Sequence, residues 1–182
     1  MIDYRTERAE DTAQIEHLLD RAFGPGRFAK TAYRLREGTA FIPELSFAAW
    51  ENGVMRGSIR YWPIEIGETR AKALLLGPLA VDPEQRGRGI ALELMQLSLR
   101  KAAELGHTSV VLVGDEPYYA RVGFTAVTAR ALRMPGPVDR SRLLALELVP
   151  GALHGVSGQI HKARQMAGER PSTLREKRAA NQ

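Results

Sequence analysis

The chain of 182 residues contains no cysteine. A protein without cysteine forms no disulfide, has no thiolate nucleophile and builds no cysteine-based metal site. Its histidines are few and lack the spacing of metal ligands; they are His17, His107, His154 and His161. We therefore expect no metal site, and catalysis would have to use other side chains or the backbone.

Long hydrophobic runs are also missing. No apolar segment approaches the ~18 residues of a membrane span, and the N-terminus lacks the pattern of a signal peptide. A hydrophobic fraction of 44% and a charged fraction of 26% are ordinary for globular proteins. The composition predicts one cytoplasmic domain that has no membrane partner.

The net charge of +5 is unevenly distributed. From residue 151 onward six Lys or Arg stand against two Glu, so the first 150 residues are nearly neutral. A basic terminal segment is more often a solvated extension than a surface for an anionic partner. We predict a folded domain over residues 1–158 and a basic, mobile tail over residues 159–182, and we do not expect nucleic acid as a partner.

The order of predicted elements indicates a mixed α/β or α+β sheet with helices on both faces. A short N-terminal strand and two helices precede a meander of three strands, whose first turn is the hairpin signal Asn52-Gly53. One long helix follows, roughly over Arg88 to Leu105, and then the apolar strand "TSVVLVG". The remaining predicted elements are the short helix "EPYYARVG" and the strands "FTAVTA" and "RLLALELVP".

The third meander strand, "ALLLGPLAVDP", contains Gly77-Pro78 within its apolar run. Proline has no N–H to donate and is confined to sheet edges, strand starts and bulges. Because the apolar run continues on both sides, we predict a bulge, which would redirect residues 79–81 and leave some of their backbone groups without a strand partner.

The next stretch, "VDPEQRGRGIALELMQL", places Arg86, Gly87, Arg88 and Gly89 before the long helix. A helix N-terminus offers unpaired N–H groups, glycines allow close approach of a ligand, and arginines suit phosphate oxygens. A pyrophosphate is the natural guest. The Rossmann pattern fails because Leu92 stands where its third glycine belongs, and the P-loop Gly-Lys-Ser/Thr is absent. The other interpretation is a tight turn with solvated arginines.

Two motifs carry a family resemblance. Arg86-x-x-Gly89-x-Ala91 resembles the Q/R-x-x-G-x-G/A acyl-CoA signature of the GCN5-related N-acetyltransferases (GNAT). "VVLVGDEPYYARVGF" resembles that superfamily's second central motif, in the right order and at the right separation. The closing "ALELVPGALHGVSG" resembles a subgroup of predicted bacterial N-acetyltransferases. The resemblance covers about residues 1–158.

The resemblance implies a mostly antiparallel sheet with a V-shaped splay between the fourth and fifth strands, in which acetyl-CoA lies. Backbone groups of Leu79 and Val81 would pair with the pantetheine, and those near Leu79 or Ala80 would stabilise the oxyanion. The pyrophosphate would be held by the loop Arg86, Gly87, Arg88, Gly89, Ile90 and Ala91.

The resemblance also places Tyr119 as the acid that protonates the departing thiolate, with Tyr118 as the neighbouring alternative. No general base stands out; the candidates are Glu44, Glu51, Asp82 and Glu84. Side chains that could line the acceptor pocket are Trp50, Tyr61 and Trp62.

The family's acceptor specificity would come from the segment Phe23–Phe41, which carries four basic residues and one acid, Glu37. This composition offers no clear anionic wall for a polyamine. We expect an acetyl-CoA-dependent N-acetyltransferase that acts on a primary amine of a small molecule or peptide. The alternative is a non-catalytic acyl-CoA-binding or sensing module on the same fold, and either function allows a homodimer.

Overall fold

A computed structural model describes residues 1–164 of the chain. Its helices are α1 (Thr12–Phe23), α2 (Thr31–Arg36), α3 (Ile90–Glu104) and the short α4 (Glu116–Tyr119). Its strands are β1 (Asp3–Thr6), β2 (Phe47–Glu51), β3 (Val54–Ile66), β4 (Ala71–Val81), β5 (Ser109–Val113), β6 (Leu132–Arg133), β7 (Leu143–Glu147) and β8 (Gly158–Lys162).

The strands form one sheet in the order β1-β2-β3-β4-β5-β7; off this path, β8 pairs with β3 and β6 pairs with β8. All neighbours along the main path are antiparallel except β4 and β5, which are parallel. The predicted mixed, mostly antiparallel sheet and its three-stranded meander are confirmed. At the predicted hairpin, Asn52 and Gly53 both have positive φ (50° and 76°), as a tight two-residue turn requires.

Helices cover both faces of the sheet. Helix α3 packs on one face, where Leu94 and Leu99 meet Leu74 and Leu76 of β4. Helices α1 and α2 pack on the other face. None of the helices within the described part of the chain has the length and apolarity needed to cross a bilayer.

The predicted bulge is present in β4. Ile59 pairs with Leu79 and Tyr61 with Leu76, so Arg60 of β3 faces two residues, Gly77 and Pro78. An extra residue in one strand reverses the alternation of its side chains. Before the bulge the even-numbered Leu74 and Leu76 face α3, whereas after it Leu79 and Val81 pack on that face.

The splay follows directly from this bulge. Strand β4 pairs with β5 only at Leu74–Val110 and Leu75–Val111. Beyond the bulge, residues 79–81 remain paired with β3 on one side. On their other side β5 has diverged, so a V-shaped opening separates the two strands there.

Two predictions about the C-terminal part were wrong. The predicted tail begins too early, because residues 159–162 belong to β8, which pairs with Ile64–Ile66 of β3. Strand β2 occupies the same edge of β3 only as far as Ile59, which leaves that edge open for β8. Residues 165–182 lie outside the described part of the chain.

The predicted strand "FTAVTA" is mostly a series of turns. Only Thr125 makes a bridge, to Ala145 of β7. The backbone N–H of Ala126 instead donates to the carboxylate of Glu116 at 2.8 Å. The segment therefore bends away after a single residue pair, although its composition favours a strand.

We predict that Ile160→Ala destabilises the protein by about 2–5 kcal/mol, because Ile160 is fully buried among β3 and β6 side chains. Chemical denaturation would measure the change. The neighbouring Gln159→Ala, at an exposed position of the same strand, should cost little. Equal, small effects at both positions would contradict the assignment of β8 to the folded domain.

Candidate active site

A cavity of about 390 Å³ occupies the opening between β4 and β5. It brings together Leu79–Val81 of β4, the loop before α3, the first turn of α3, and the α4 region. Its lining residues are Ala22, Phe23, Leu79, Ala80, Val81, Gln85, Arg86, Gly87, Gly89, Ile90, Ala91, Leu92, Tyr118, Tyr119 and Arg121. Eight of the nine residues predicted to bind the cofactor, and both candidate tyrosines, thus line one space; Arg88 does not.

The loop before α3 presents backbone N–H groups to this cavity. Gly87 and Gly89 have φ of 84° and 79°, a left-handed conformation that side chains other than glycine rarely adopt. A Cβ added to either would meet no atom within 4 Å. The first intrahelical bond runs from Glu93 N–H to Gly89 C=O, so the N–H groups of Ile90–Leu92 precede it and have no partner within the helix. This arrangement suits an anion.

The two arginines of the loop behave differently. Arg86 is exposed, lines the cavity and makes no ion pair within residues 1–164. The Arg88 guanidinium instead bonds both carboxylate oxygens of Glu51, at 2.8 and 2.9 Å, and also contacts Gln85. The prediction that the Arg88 side chain adds charge to the phosphate site is therefore corrected: Glu51 on β2 holds it elsewhere.

Arg121 supplies a second charge that the sequence analysis missed. It lies in the short 3-10 turn Ala120–Val122 after α4 and lines the cavity, with its guanidinium 5.8 Å from the Tyr118 ring centre. Its position inside "YYARVGF", next to the predicted catalytic tyrosine, was the available signal. Ala22, at the end of α1, was missed as well because nothing local connects it to β4, whereas its neighbour Phe23 begins the segment predicted to set acceptor specificity.

Tyr119 is fixed by close packing. Its ring makes edge-to-face contacts with Tyr118 and Phe124, at centroid distances of 5.2 and 6.2 Å. Gly114, at the end of β5, is a glycine because a Cβ there would overlap the Tyr119 ring. No hydrogen bond from the Tyr119 hydroxyl to any residue from 1 to 164 is present, so the hydroxyl is available to a ligand in the cavity.

Burial raises the pKa of Tyr119 to about 12, and the nearby Tyr118 and Asp115 add to this effect. Tyr119 is therefore protonated at neutral pH. Tyr118 is 39% exposed, and burial raises its pKa as well. Both tyrosines can donate a proton, but Tyr119 is the more firmly positioned of the two.

The four carboxylates considered as general bases do not line the cavity. Glu51 accepts a hydrogen bond from Arg88, which lowers the pKa of Glu51 to about 2, so this carboxylate is a poor base. Asp82 is buried and bonds Arg21 and Arg56, each at 3.0 Å. Glu44 and Glu84 are exposed.

The three aromatic residues of the meander, considered as walls of an acceptor pocket, do not line this cavity. Tyr61 is fully buried and its hydroxyl hydrogen-bonds Ser98 at 2.8 Å. Trp62 donates its ring N–H to Gly77 C=O at 2.6 Å, which supports the bulge. Trp50 lies under Arg5, whose guanidinium is 4.8 Å from the ring centre. These side chains are structural.

Comparisons with known proteins agree with this geometry. Residues 12–124 match the model of the Acetyltransferase (GNAT) family. The uncharacterized N-acetyltransferase YhbS of Escherichia coli strain K12 is 31% identical over 156 residues, which cover 86% of this chain and 93% of YhbS.

Two solved structures are similar in fold and sequence. The structure of E. coli YhbS in complex with CoA has a TM-score of 0.76 and 30% identity, with 89% of each chain covered. A GNAT family acetyltransferase from Brucella melitensis in complex with acetyl-CoA has a TM-score of 0.60 and 28% identity, over 80% of this chain and 96% of that one. The splayed sheet, the glycine-rich loop at the start of α3 and these matches together establish that the chain belongs to the GNAT family of acetyltransferases.

Proposed function

We propose that this acetyltransferase moves the acetyl group of acetyl-CoA to a primary amine of a small molecule or peptide, and that the cavity between β4 and β5 holds the acetyl-CoA. The observation that carries the proposal is the convergence on this cavity of unpaired backbone N–H groups at α3 and a protonated, tightly packed Tyr119. The solved relatives with CoA and acetyl-CoA support the choice of cosubstrate.

In this proposal the two ends of the cavity have different roles. The N–H groups of residues 87–92 and the side chain of Arg86 bind the pyrophosphate. Leu79–Val81 have backbone groups on the side away from β3 that can pair with the amides of the pantetheine. These contacts fix the thioester near Tyr119, which lines the same cavity.

The reaction is attack of a neutral amine on the thioester carbonyl, followed by departure of the CoA thiolate. Backbone N–H groups near Leu79 or Ala80 stabilise the oxyanion that forms on the carbonyl oxygen. The Tyr119 hydroxyl donates its proton to the departing sulfur, and solvent restores that proton.

The amine has to lose a proton before it attacks. Among the residues that line the cavity none is a carboxylate or an imidazole. We propose that the amine enters in its neutral form or gives its proton to water, so no side chain acts as a direct base. The positive charges of Arg86 and Arg121 favour the neutral form of a nearby amine.

We predict that Gly89→Asp weakens acetyl-CoA binding by at least about 100-fold, because the new carboxylate would point into the open space where the pyrophosphate binds. Calorimetric titration would measure the affinity. Gly106→Asp is the matched control: Gly106 also has a left-handed φ (83°) and open space around its Cβ position, but it lies after the far end of α3. Unchanged affinity in a folded Gly89→Asp variant would refute the placement of the pyrophosphate.

We predict that Tyr119→Phe lowers kcat by about 100-fold and leaves the affinity for CoA nearly unchanged. The substitution removes only the hydroxyl and preserves the ring packing against Phe124. Steady-state kinetics with a working amine, and CoA titration of the same variant, would separate the two effects.

Tyr118→Phe is the control and should retain most activity. The pH dependence gives a second check: with a pKa of about 12, Tyr119 keeps its proton, so kcat/KM should show no decline from this group below about pH 11. If Tyr118→Phe were inactive and Tyr119→Phe fully active, the acid would be Tyr118.

A further inference from the structure

Arg36, the last residue of α2, lies against the bulge of β4. A Cβ added to Gly77 would be 2.5 Å from Nη2 of Arg36 and 3.5 Å from its Cζ. The guanidinium therefore lies where β4 leaves β5, on the face of the sheet that α2 covers. The pyrophosphate loop and α3 belong to the opposite face.

This guanidinium has no partner in the part of the chain that the structure describes. Its Nε is buried and makes no hydrogen bond, and no carboxylate of residues 1–164 forms an ion pair with it. Burial lowers its pKa to about 10, so it remains charged at neutral pH. Arg36 as a whole is half-buried, but a guanidinium that is partly removed from water and lacks a carboxylate partner is unfavourable, so its position calls for an explanation.

The arginines around Arg36 do have partners. Arg27 bonds Glu16 and Asp20 at 2.9 and 3.0 Å. Arg60 bonds Glu7 at 2.6 and 2.8 Å. The nearby acids are thus paired with other arginines. The positive charges of Arg27 and Arg60 disfavour the charged form of Arg36 and lower its pKa.

Arg36 also lies near the proposed reaction centre, because Gly77, against which its guanidinium lies, is two residues before Leu79, which lines the acetyl-CoA cavity. The charges of Arg36 and Tyr119 affect each other, since Arg36 lowers the pKa of Tyr119 and Tyr119 raises that of Arg36. Tyr119 lines the acetyl-CoA cavity. An anion bound at Arg36 would therefore be close to the transferred acetyl group, on the side from which a second substrate can approach.

We propose that Arg36 binds a carboxylate of the acceptor, so that the acceptor is a small amino acid or a similar amino-carboxylate. The inference rests on the proposed N-acetyltransferase function and specifies its substrate class. The planar guanidinium fork matches the two oxygens of a carboxylate, which would supply the charge and hydrogen bonds that Arg36 lacks. A polyamine offers no such group, and its charge would be repelled.

The test compares matched acceptors that differ only in the carboxylate. Glycine, β-alanine and 4-aminobutyrate are each assayed beside the corresponding amide, by release of CoA thiol. The ratio of kcat/KM for acid over amide is then compared between the wild type and Arg36→Met, so that differences in amine reactivity cancel. For at least one pair the ratio should fall by about 10- to 100-fold in the variant, mainly through KM of the acid.

Two further variants sharpen the result. Arg36→Lys keeps the charge but not the fork, so it should retain part of the preference. Arg34→Gln is the matched control, because Arg34 is exposed on the same helix and lines a separate cavity between α2 and β8. Unchanged CoA affinity and an undiminished Tm in Arg36→Met would show that Arg36 is not needed for folding.

A binding measurement covers the case in which none of these amines is acetylated. The three amino acids are titrated into the protein saturated with CoA, and binding should be detectable for the wild type and lost in Arg36→Met. If both proteins acetylate amines and the ratio of kcat/KM for acid over amide is the same in the wild type and in Arg36→Met, the role of Arg36 is overturned but the proposed function is not. Acetyl-CoA binding with no transfer to any amine in a wide panel would count against the proposed function instead, and failure of the wild type to bind any of the three amino acids would overturn the acceptor assignment.

Discussion

The placement of two residues of β4 opposite one residue of β3 governs the architecture of this site. Gly77 and Pro78 face Arg60, which shifts the alternation of side chains along β4 by one and turns its last residues away from β5. Every proposed function of the cavity depends on that separation. If pairing between β4 and β5 continued past Leu75, the backbone of Leu79–Val81 would be used within the sheet and no ligand could lie there.

The charges around the opening are arranged asymmetrically. On the α3 face the charged side chains lining the cavity are Arg86 and Arg121, which suits the phosphates of a cosubstrate. Near the bulge on the α2 face, Arg27 and Arg60 are paired with acids, whereas Arg36 forms no ion pair with any acid of residues 1–164. Tyr119 packs with the core cluster on the α3 side and stays protonated because burial opposes its ionisation. In the proposed mechanism the protein supplies positive charge and a proton donor, and solvent deprotonates the amine.

Much of this could be predicted from the sequence, because the decisive signals are local. Gly77-Pro78 within an apolar run indicated the bulge, and Gly87 and Gly89 before a long helix indicated the turn that leaves the first N–H groups of α3 open to the cavity. Features that depend on distant partners could not be predicted. Arg88 is 37 residues from Glu51, and no local pattern reveals that the two form a pair. The return of β8 to β3 and the lack of a partner for Arg36 likewise depend on which groups the folded chain brings together.

Segment 124–129 shows that a strand predicted from sequence can also fail to form for lack of a partner. Its alternation and β-branched residues favour a strand, but a strand also needs a neighbour with free backbone groups. Strand β7 offers it one bridging residue, and the carboxylate of Glu116 takes the next N–H. Composition describes what a segment prefers, whereas its final conformation depends on the partners available at that place in the sheet.

Gly114, directly after β5, determines where the Tyr119 ring can lie. Its backbone is not strained, yet the space where its side chain would be is filled by the ring of Tyr119. Even an alanine at this position would displace the Tyr119 ring, the proposed proton donor, while leaving the loop before α3 intact. In the proposed mechanism position 114 therefore has to lack a side chain, and a variant that gained one would still bind the thioester but would transfer its acetyl group poorly.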